Sequence, residues 1–469
     1  MRSSCLRRNL KKSKWLLILT INKNNMVSYP KHKIACSILF LLMMLLFQCR
    51  QSNDNVLKFT HIYDPLAGPH GQLNMNWIHG RLAAFQKVHP ELSIELEQAK
   101  WDQIDTKAMA DYRAAIRHDV IFTSPQFLPK HELVGDLLDL NSYLSWSVEQ
   151  VNEFAWNPVW NTCEQGGKRI GVPMGAHTRL CVYRKDMFSE IGLDPERPPR
   201  TLDELVAFAQ KLTRDIDGDG KTDIWGLGIY FGPSRATIEL AFAPIIWHFR
   251  GKLWDESTKQ AVFASEAGVR AAQFLNDLVN KYFVTPKWAM SGTYDDVVLR
   301  GFLEGKIAIA WGWGSYWIQP LEEKGWITGC FPPTRDGKVL NVGLFLTPTI
   351  LQAQFTNAWT ISVHALTKKP VESVKLIETF AEPEALATFP DAGLPARLSL
   401  WEQPVYQTDF YQTWFEAVKK GRSMPPTAHY EELANTVAAA LQEIVIKNAP
   451  VKATLLRFQK AYNIRYAGE

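Results

Sequence analysis

The stretch "DIDGDGKTDIWG" (215–226) gathers the groups of this chain best placed to hold an ion. Gly218-Asp219-Gly220-Lys221-Thr222 ends like a phosphate-binding loop. That motif needs a glycine five residues before its last one, so that backbone N–H groups can curl around phosphate. Asp215 stands there, and Asp217 and Asp219 add further repulsion toward an anion. A calcium loop fits better. Asp215, Asp217, Asp219 and Asp223 occupy positions 1, 3, 5 and 9 of a twelve-residue loop. Gly220 takes the sharp-turn position and the Lys221 carbonyl would be the seventh-position ligand, but Gly226 replaces the bidentate glutamate. Two readings stay open: a weak, structural calcium site, or an Asp/Gly turn whose carboxylates bond their own backbone. Both make the loop structural, and no other cofactor is expected.

The termini and cysteines suggest a compartment. Nine Lys/Arg fall within residues 1–33, and the first acidic residue is Asp54. Without those nine, 43 basic groups face 48 acidic ones, and a slightly acidic body disfavours nucleic acid as partner. "KHKIACSILFLLMMLLFQC" places a basic segment before an apolar run, Ile34 to Phe47, of signal-peptide length. Translation is expected to start at Met26. Cys49 follows the apolar run and is the candidate for lipidation, although Gln48 precedes it where a small residue is usual; the alternative is cleavage to a soluble secreted protein. Cys163, Cys181 and Cys330 remain in the body, with no metal-binding spacing, and are expected as buried thiols.

The elements that would position a site follow from periodicity. "VLKFTHIY" (56–63), "LSIELEQA" (92–99) and "HDVIFTS" (118–124) read as strands. Helices are expected at 76–90 and 109–117 between them, which implies a parallel α/β sheet. Further helices are expected at 201–215, capped by Thr201 with Glu204 closing a capping box, and at 268–282. Strands are expected at 226–232 and 306–313, with a mostly helical chain after Pro370.

The segment 170–213 then carries a resemblance. Val172-Pro173, Tyr183-Arg184-Lys185-Asp186, Gly192-Leu193-Asp194, Pro198-Pro199 and Thr201-Leu202-Asp203-Glu204-Leu205 resemble a run found in extracellular solute-binding proteins of the maltose-binding type. These are the capture subunits of bacterial ABC sugar importers. "FQKVHPELSIEL" (85–96), "FLEGKIAIAWGWGSY" (302–316), 361–389, "AGLPARLSL" (392–400) and "GRSMPPTAHYEEL" (421–433) extend the likeness over roughly 56–466.

The resemblance implies an α/β, two-lobed periplasmic-binding-protein fold, each lobe a mainly parallel sheet flanked by helices. The expected division is a leader at 1–48, a tether at 49–55, an N-terminal lobe at 56–174 plus about 306–362, and a C-terminal lobe at 175–305 plus about 363–469. It implies a carbohydrate ligand bound between lobes, hinge closure, permease and ATPase partners, a membrane-anchored extracytoplasmic monomer and no catalysis. Sugars offer apolar faces to aromatic rings and hydroxyls to charged or amide groups. The expected ligand-binding set is Tyr63, Asp64, Thr123, Gln126, His177, Tyr230, Phe231, Trp247, Trp311, Trp313, Tyr316, Trp359, Arg397 and Tyr430, with Trp247 and Trp313 clamping opposite faces of one ring system. Core packing is the alternative for each aromatic. Two rival functions are a secreted carbohydrate-active hydrolase and a binding lipoprotein for sensing or adhesion without a transporter. No nucleophile elbow, GxSxG or metal-binding His pair appears.

Overall fold

A computed structural model describes residues 55–466 apart from 67, 331–332 and 391–393. The leader, the Met26 start and the Cys49 lipidation lie outside the described residues. The chain divides into units Met1–Asp54 and Asn55–Glu469, and the second is the one described below.

The first sheet grows from three short apolar strands. β1 (Val56–His61) pairs in parallel with β2 (Ser93–Gln98) and β3 (Val120–Thr123). α1 (Gly68–Val88) and α2 (Ile104–Arg113) make the crossovers that parallel pairing requires. α3 (Leu128–Val134) follows β3 and ends at Gly135, whose φ of 74° is left-handed and suits glycine. β4 (Val172–Pro173) joins the far edge.

The second sheet starts with β5 (Arg179–Arg184). α4 (Leu202–Leu212) buries Leu202, Leu205, Val206, Ala209 and Leu212, a spacing that puts all five on one helical stripe. Thr201 caps it by accepting the Glu204 N–H at 3.1 Å. Glu204 reaches back to the Arg200 N–H at 2.8 Å rather than to Thr201, so the expected capping box is half made. β6 (Trp225–Gly228) then leads to α5 (Ala243–His248) and α6 (Glu266–Asn280). β7 (Ile307–Gly314) and β8 (Val342–Phe345) complete this sheet, in the order β8-β5-β7-β6. β9 (Thr360–Val363) returns to the first sheet, whose order is β2-β1-β3-β9-β4. α7 (Pro370–Ala381), α8 (Asp409–Lys419), α9 (Tyr430–Lys447) and α10 (Val451–Tyr466) close the chain.

The fold is therefore two α/β bodies, and their boundaries differ from the expected division at three elements, one of them the strand at 342–345, expected in the N-terminal lobe but paired in the second sheet. The strand at 307–314, expected in the N-terminal lobe, pairs with Arg179–Arg184 in the second sheet. The helix at 370–381, expected in the C-terminal lobe, packs on the first sheet. Phe380 meets Phe59 at 5.2 Å and Trp77 at 5.3 Å, and the Trp77 Nε1–H donates to the Ala385 carbonyl at 3.0 Å. Strand pairing and aromatic packing over long sequence separations decide membership, and neither is encoded in local periodicity.

Three crossings link the bodies and bond to one another. Met174 N–H donates to Trp359 O at 2.8 Å, and Ala176 N–H to Leu394 O at 3.1 Å. His177 and Asn357 exchange backbone bonds of 2.6 and 2.8 Å. Cys163, Cys181 and Cys330 are buried free thiols. Burial pushes the Cys163 and Cys330 thiols up to about 12, which leaves them protonated and unreactive. Among the described residues no helix is long and apolar enough to cross a membrane.

Candidate functional site

Strand direction decides which edge of each sheet can hold a ligand. The parallel strands β1, β2 and β3 end on one edge, so the segments after them, Tyr63–Asp64, Trp101 and Ser124–Phe127, collect there. In the second sheet β6 and β7 end where β5 begins, which collects Tyr230–Glu239, Ser315 and Arg179 on one edge.

The two edges meet. The Arg235 guanidinium of the second body lies 5.1 Å over the Trp101 ring and 5.7 Å from the Phe127 ring of the first. Phe127 meets Tyr430 edge-on at 6.4 Å, and Lys130 pairs with Glu432 at 3.8 Å. Trp101 is 56% exposed, so its ring has a face to offer. These contacts define a cleft with aromatic rings on the first wall and charges on the second.

The second wall centres on Glu239, held in a π-helical turn, Thr237–Phe242, a rare geometry often found at functional sites. The Tyr430 hydroxyl donates to Glu239 Oε1 at 2.7 Å, and Arg235 Nε lies 3.8 Å from the same oxygen. Burial raises the Glu239 carboxyl above the usual range, while Arg235, the Tyr430 hydrogen bond and Arg179 pull it back. Burial also pushes the Tyr430 phenol well up, so it donates as a neutral hydroxyl. The Arg179 Nη1 donates to the Thr178 carbonyl at 3.1 Å, and its guanidinium lies 5.8 Å from the Phe355 ring.

Polar atoms at these edges are buried with no hydrogen-bond partner among the described residues: Gln126 Oε1, Ser315 Oγ, Thr347 Oγ1, both ends of the Gln354 amide, and Asn357 Oδ1. Buried polar groups are usually satisfied. These six atoms lie at the strand ends and crossings that border the cleft.

The residues expected to bind ligand separate into two sets. Asp64, Gln126, His177 and Tyr430 stand at the cleft edges or the hinge, and Trp247 does not. Asp64 Oδ1 accepts the Leu66 N–H at 2.8 Å. His177 is buried at the first crossing, and the half-buried Trp359 flanks the second. Trp247 is buried in the second core, with the Arg422 guanidinium 5.6 Å from its ring.

The others are structural. Tyr63 packs edge-on against Phe122 at 5.8 Å. Thr123 bonds Thr360 and Ser362 hydroxyls at 2.6 and 2.9 Å inside the first sheet. Tyr230 and Phe231 lie in core clusters. Arg397 Nε donates to the Ala381 carbonyl at 3.0 Å over the Phe154 ring. The Tyr316 side chain lies outside the described residues.

Trp311 and Trp313 need a physical account. Two residues apart on a strand, they read as sharing one face. A bulge at Gly312, with φ 82°, breaks the register between them. Trp311 turns to one core and bonds the Leu240 carbonyl at 2.7 Å. Trp313 turns to the other, 0% exposed, against Phe302 at 5.3 Å. Both Trp313 and Trp247 belong to the second body, so they do not clamp a ligand from opposite lobes.

The Asp-rich loop lies away from the cleft and is occupied with its own backbone. Asp215 accepts from Gly218 and Gly220 N–H at 2.7 and 2.8 Å, and Asp223 from Ile216 at 2.7 Å. Carboxylates of Asp215, Asp217 and Asp223 come within 4.8 Å of one another, all exposed, so three of the five expected calcium ligands converge. Asp219 turns instead to Lys221, accepting its N–H and its ammonium at 2.8 Å each. A Cβ at Gly226 would lie 1.9 Å from the Ala209 carbonyl oxygen. Close packing of β6 on α4 therefore forbids the glutamate that a full calcium loop carries at that position.

Sequence reasoning missed Trp101, Phe127, Arg179, Arg235 and Glu239. One signal was present for the last: Glu239 is the lone charge in the apolar run 237–247.

A family model described as "Bacterial extracellular solute-binding protein" matches residues 74–387. A protein of Brucella abortus described as a binding protein is 27% identical over 228 residues, which is 48% of this chain and 51% of that one. The chain thus spans about half the length of the curated relatives it matches first. Among solved structures, an ABC transporter solute-binding protein of Thermotoga lettingae, with alpha-D-tagatose bound, superposes with a TM-score of 0.72 at 20% identity, covering 87% of this chain and 99% of that one. The sugar-binding protein MalE of Xanthomonas citri superposes with a TM-score of 0.70 at 17% identity, covering 87% and 96%.

Proposed function

The chain belongs to the bacterial extracellular solute-binding protein family, and we propose that it captures a sugar or oligosaccharide in the cleft and delivers it to an ABC-type importer by hinge closure. The observation that carries this reading is the opposed pair of walls. Exposed Trp101 with Phe127 offers apolar faces from one body, and Arg235, Glu239 and the unpartnered Ser315 and Gln354 offer hydrogen bonds from the other.

The lobes divide at the crossings 174–178, 346–359 and 394–401. Solute touching both walls favours the closed arrangement by its differential affinity. It leaves chemically unchanged. The chain acts as an extracytoplasmic monomer, tethered through lipidated Cys49, with a permease and ATPase as partners. The sugar-binding names of the structural neighbours support the ligand class.

A thermal-shift and calorimetric screen against a carbohydrate panel, with product analysis of each sugar, tests this. At least one sugar is expected to raise the melting temperature and to be recovered intact. Silence across the panel with a shift from amino acids or peptides would overturn the ligand class. Turnover of a sugar would overturn the binding role.

A further inference from the structure

Behind the first wall of the cleft sits a buried ionic group. His131 of α3 is wholly buried between two carboxylates. Its Nδ1 lies 2.9 Å from Asp136 Oδ2, and its Nε2 lies 3.0 Å from Asp105 Oδ1. Asp105, on α2, also accepts the Ser124 N–H at 3.0 Å and the Ser124 hydroxyl at 2.8 Å. Ser124 in turn accepts the Phe127 N–H through its carbonyl at 2.9 Å, closing the turn that carries Gln126 and Phe127.

We propose that His131 is a positioning residue of the cleft. Gripped by Asp136 on one side, it fixes Asp105 on the other, and Asp105 pins the Ser124–Phe127 turn in place. Four links therefore run in series from the interior of the first body to the backbone of the turn that carries Gln126 and Phe127. The proposal rests on the cleft reading for its meaning in binding, but the position of the turn can be read without any ligand.

The arrangement needs the imidazolium, because both ring nitrogens face carboxylates and each must donate. Burial alone would lower the His131 pKa, yet hydrogen bonds and charge from Asp105 and Asp136 outweigh it and raise the pKa to about 9. The other groups facing this centre do not supply a rival counter-charge. His364, beyond β9, has its pKa lowered by burial and the neighbouring His118 and stays neutral, while Lys130 and Glu132 flank His131 on its own helix. The clamp should hold through neutral pH and release as pH rises through about 9.

Amide hydrogen exchange of the ligand-free chain, read on peptides spanning 124–131, β1 and β9 and normalised to intrinsic rates, tests this. In His131→Gln at pH 7, exchange in 124–131 is expected to rise at least tenfold while β1 and β9 keep their protection. In the wild type the same peptide should open above pH 9, and in His131→Gln that step should vanish. Unchanged protection of 124–131, equal loss across β1 and β9, or a surviving pH step would overturn the proposal. Should His131→Gln fail to fold, Asp105→Asn is read in its place. It removes one of the two carboxylates, so the opening step should move to lower pH, and a step left in place would count against the clamp.

Discussion

Two acidic segments of this chain invite comparison: the loop 215–226 and the turn 237–242. The first is crowded with aspartates, exposed, and spends its carboxylates on its own N–H groups. The second holds one glutamate, buried, facing an arginine and a tyrosine at the seam between two bodies. Local carboxylate–backbone bonds close a turn and leave little for a partner. A buried carboxylate is stable only where other groups hold it, and at Glu239 those groups, Arg235 and Tyr430, stand at the seam that a ligand can reach. The inconspicuous acid is the better functional candidate.

The same contrast separates the tryptophans and gives the largest expected effect. Trp313→Ala should lose roughly 3–5 kcal/mol of stability, as a core aromatic does. Trp101→Ala should melt near the wild type. Denaturant titration of both variants checks this, and equal losses would erase the distinction.

Glu239→Ala comes next. It strands the Tyr430 hydroxyl and one face of Arg235, and sugar affinity should fall about a hundredfold, near 3 kcal/mol. Calorimetry with the sugar found in the panel reads it directly; a loss below threefold would remove Glu239 from the site.

His131 adds a pH dependence of similar size. Its folded pKa of about 9 stands above the unfolded value near 6.5, so its stabilisation is complete below 6.5 and is lost as pH rises through about 9. The shift corresponds to about 3 kcal/mol. The melting-temperature gap between wild type and His131→Gln should close between pH 7 and 10, and a constant gap would contradict the ionic account.

The smallest effect belongs to the conspicuous loop. Asp215→Asn should cost less than about 1 kcal/mol, because its bonds are exposed and an amide oxygen still accepts one. Sugar affinity should be unaffected by that variant and by EDTA. Loss of binding on chelation would reverse the comparison with which these two segments began.

Much of the fold was legible. β1, β2 and β3 announce themselves as short apolar or alternating runs, and α4 through its stripe and its Thr201 cap. The order of motifs from 170 to 213 pointed to the family. What stayed hidden depends on distant partners. The sheet that receives Ile307–Gly314 follows from its pairing with Arg179–Arg184, more than a hundred residues away. The bulge at Gly312 reverses Trp313, and an IAIAWGWG run looks the same with or without it. Trp101 reads as any loop aromatic until Arg235 is seen lying over it. Gln126 lies just past β3 beside the cleft, a position that could be read from the sequence because strand ends are predictable. Expected site residues that failed, such as Tyr63 and Thr123, failed by one to three positions along a chain whose side chains alternate between core and cleft.

The central claim is that solute binds between Trp101 and Glu239. Its most direct test is thermal shift of the wild type and a Trp101→Ala/Glu239→Ala double variant with the sugar found in the panel, at a hundredfold excess over its wild-type Kd. The wild type should gain about 2.7 kcal/mol from the sugar. The double variant should still unfold cooperatively and gain nothing measurable. A double variant that folds and keeps the full shift would place the binding site elsewhere.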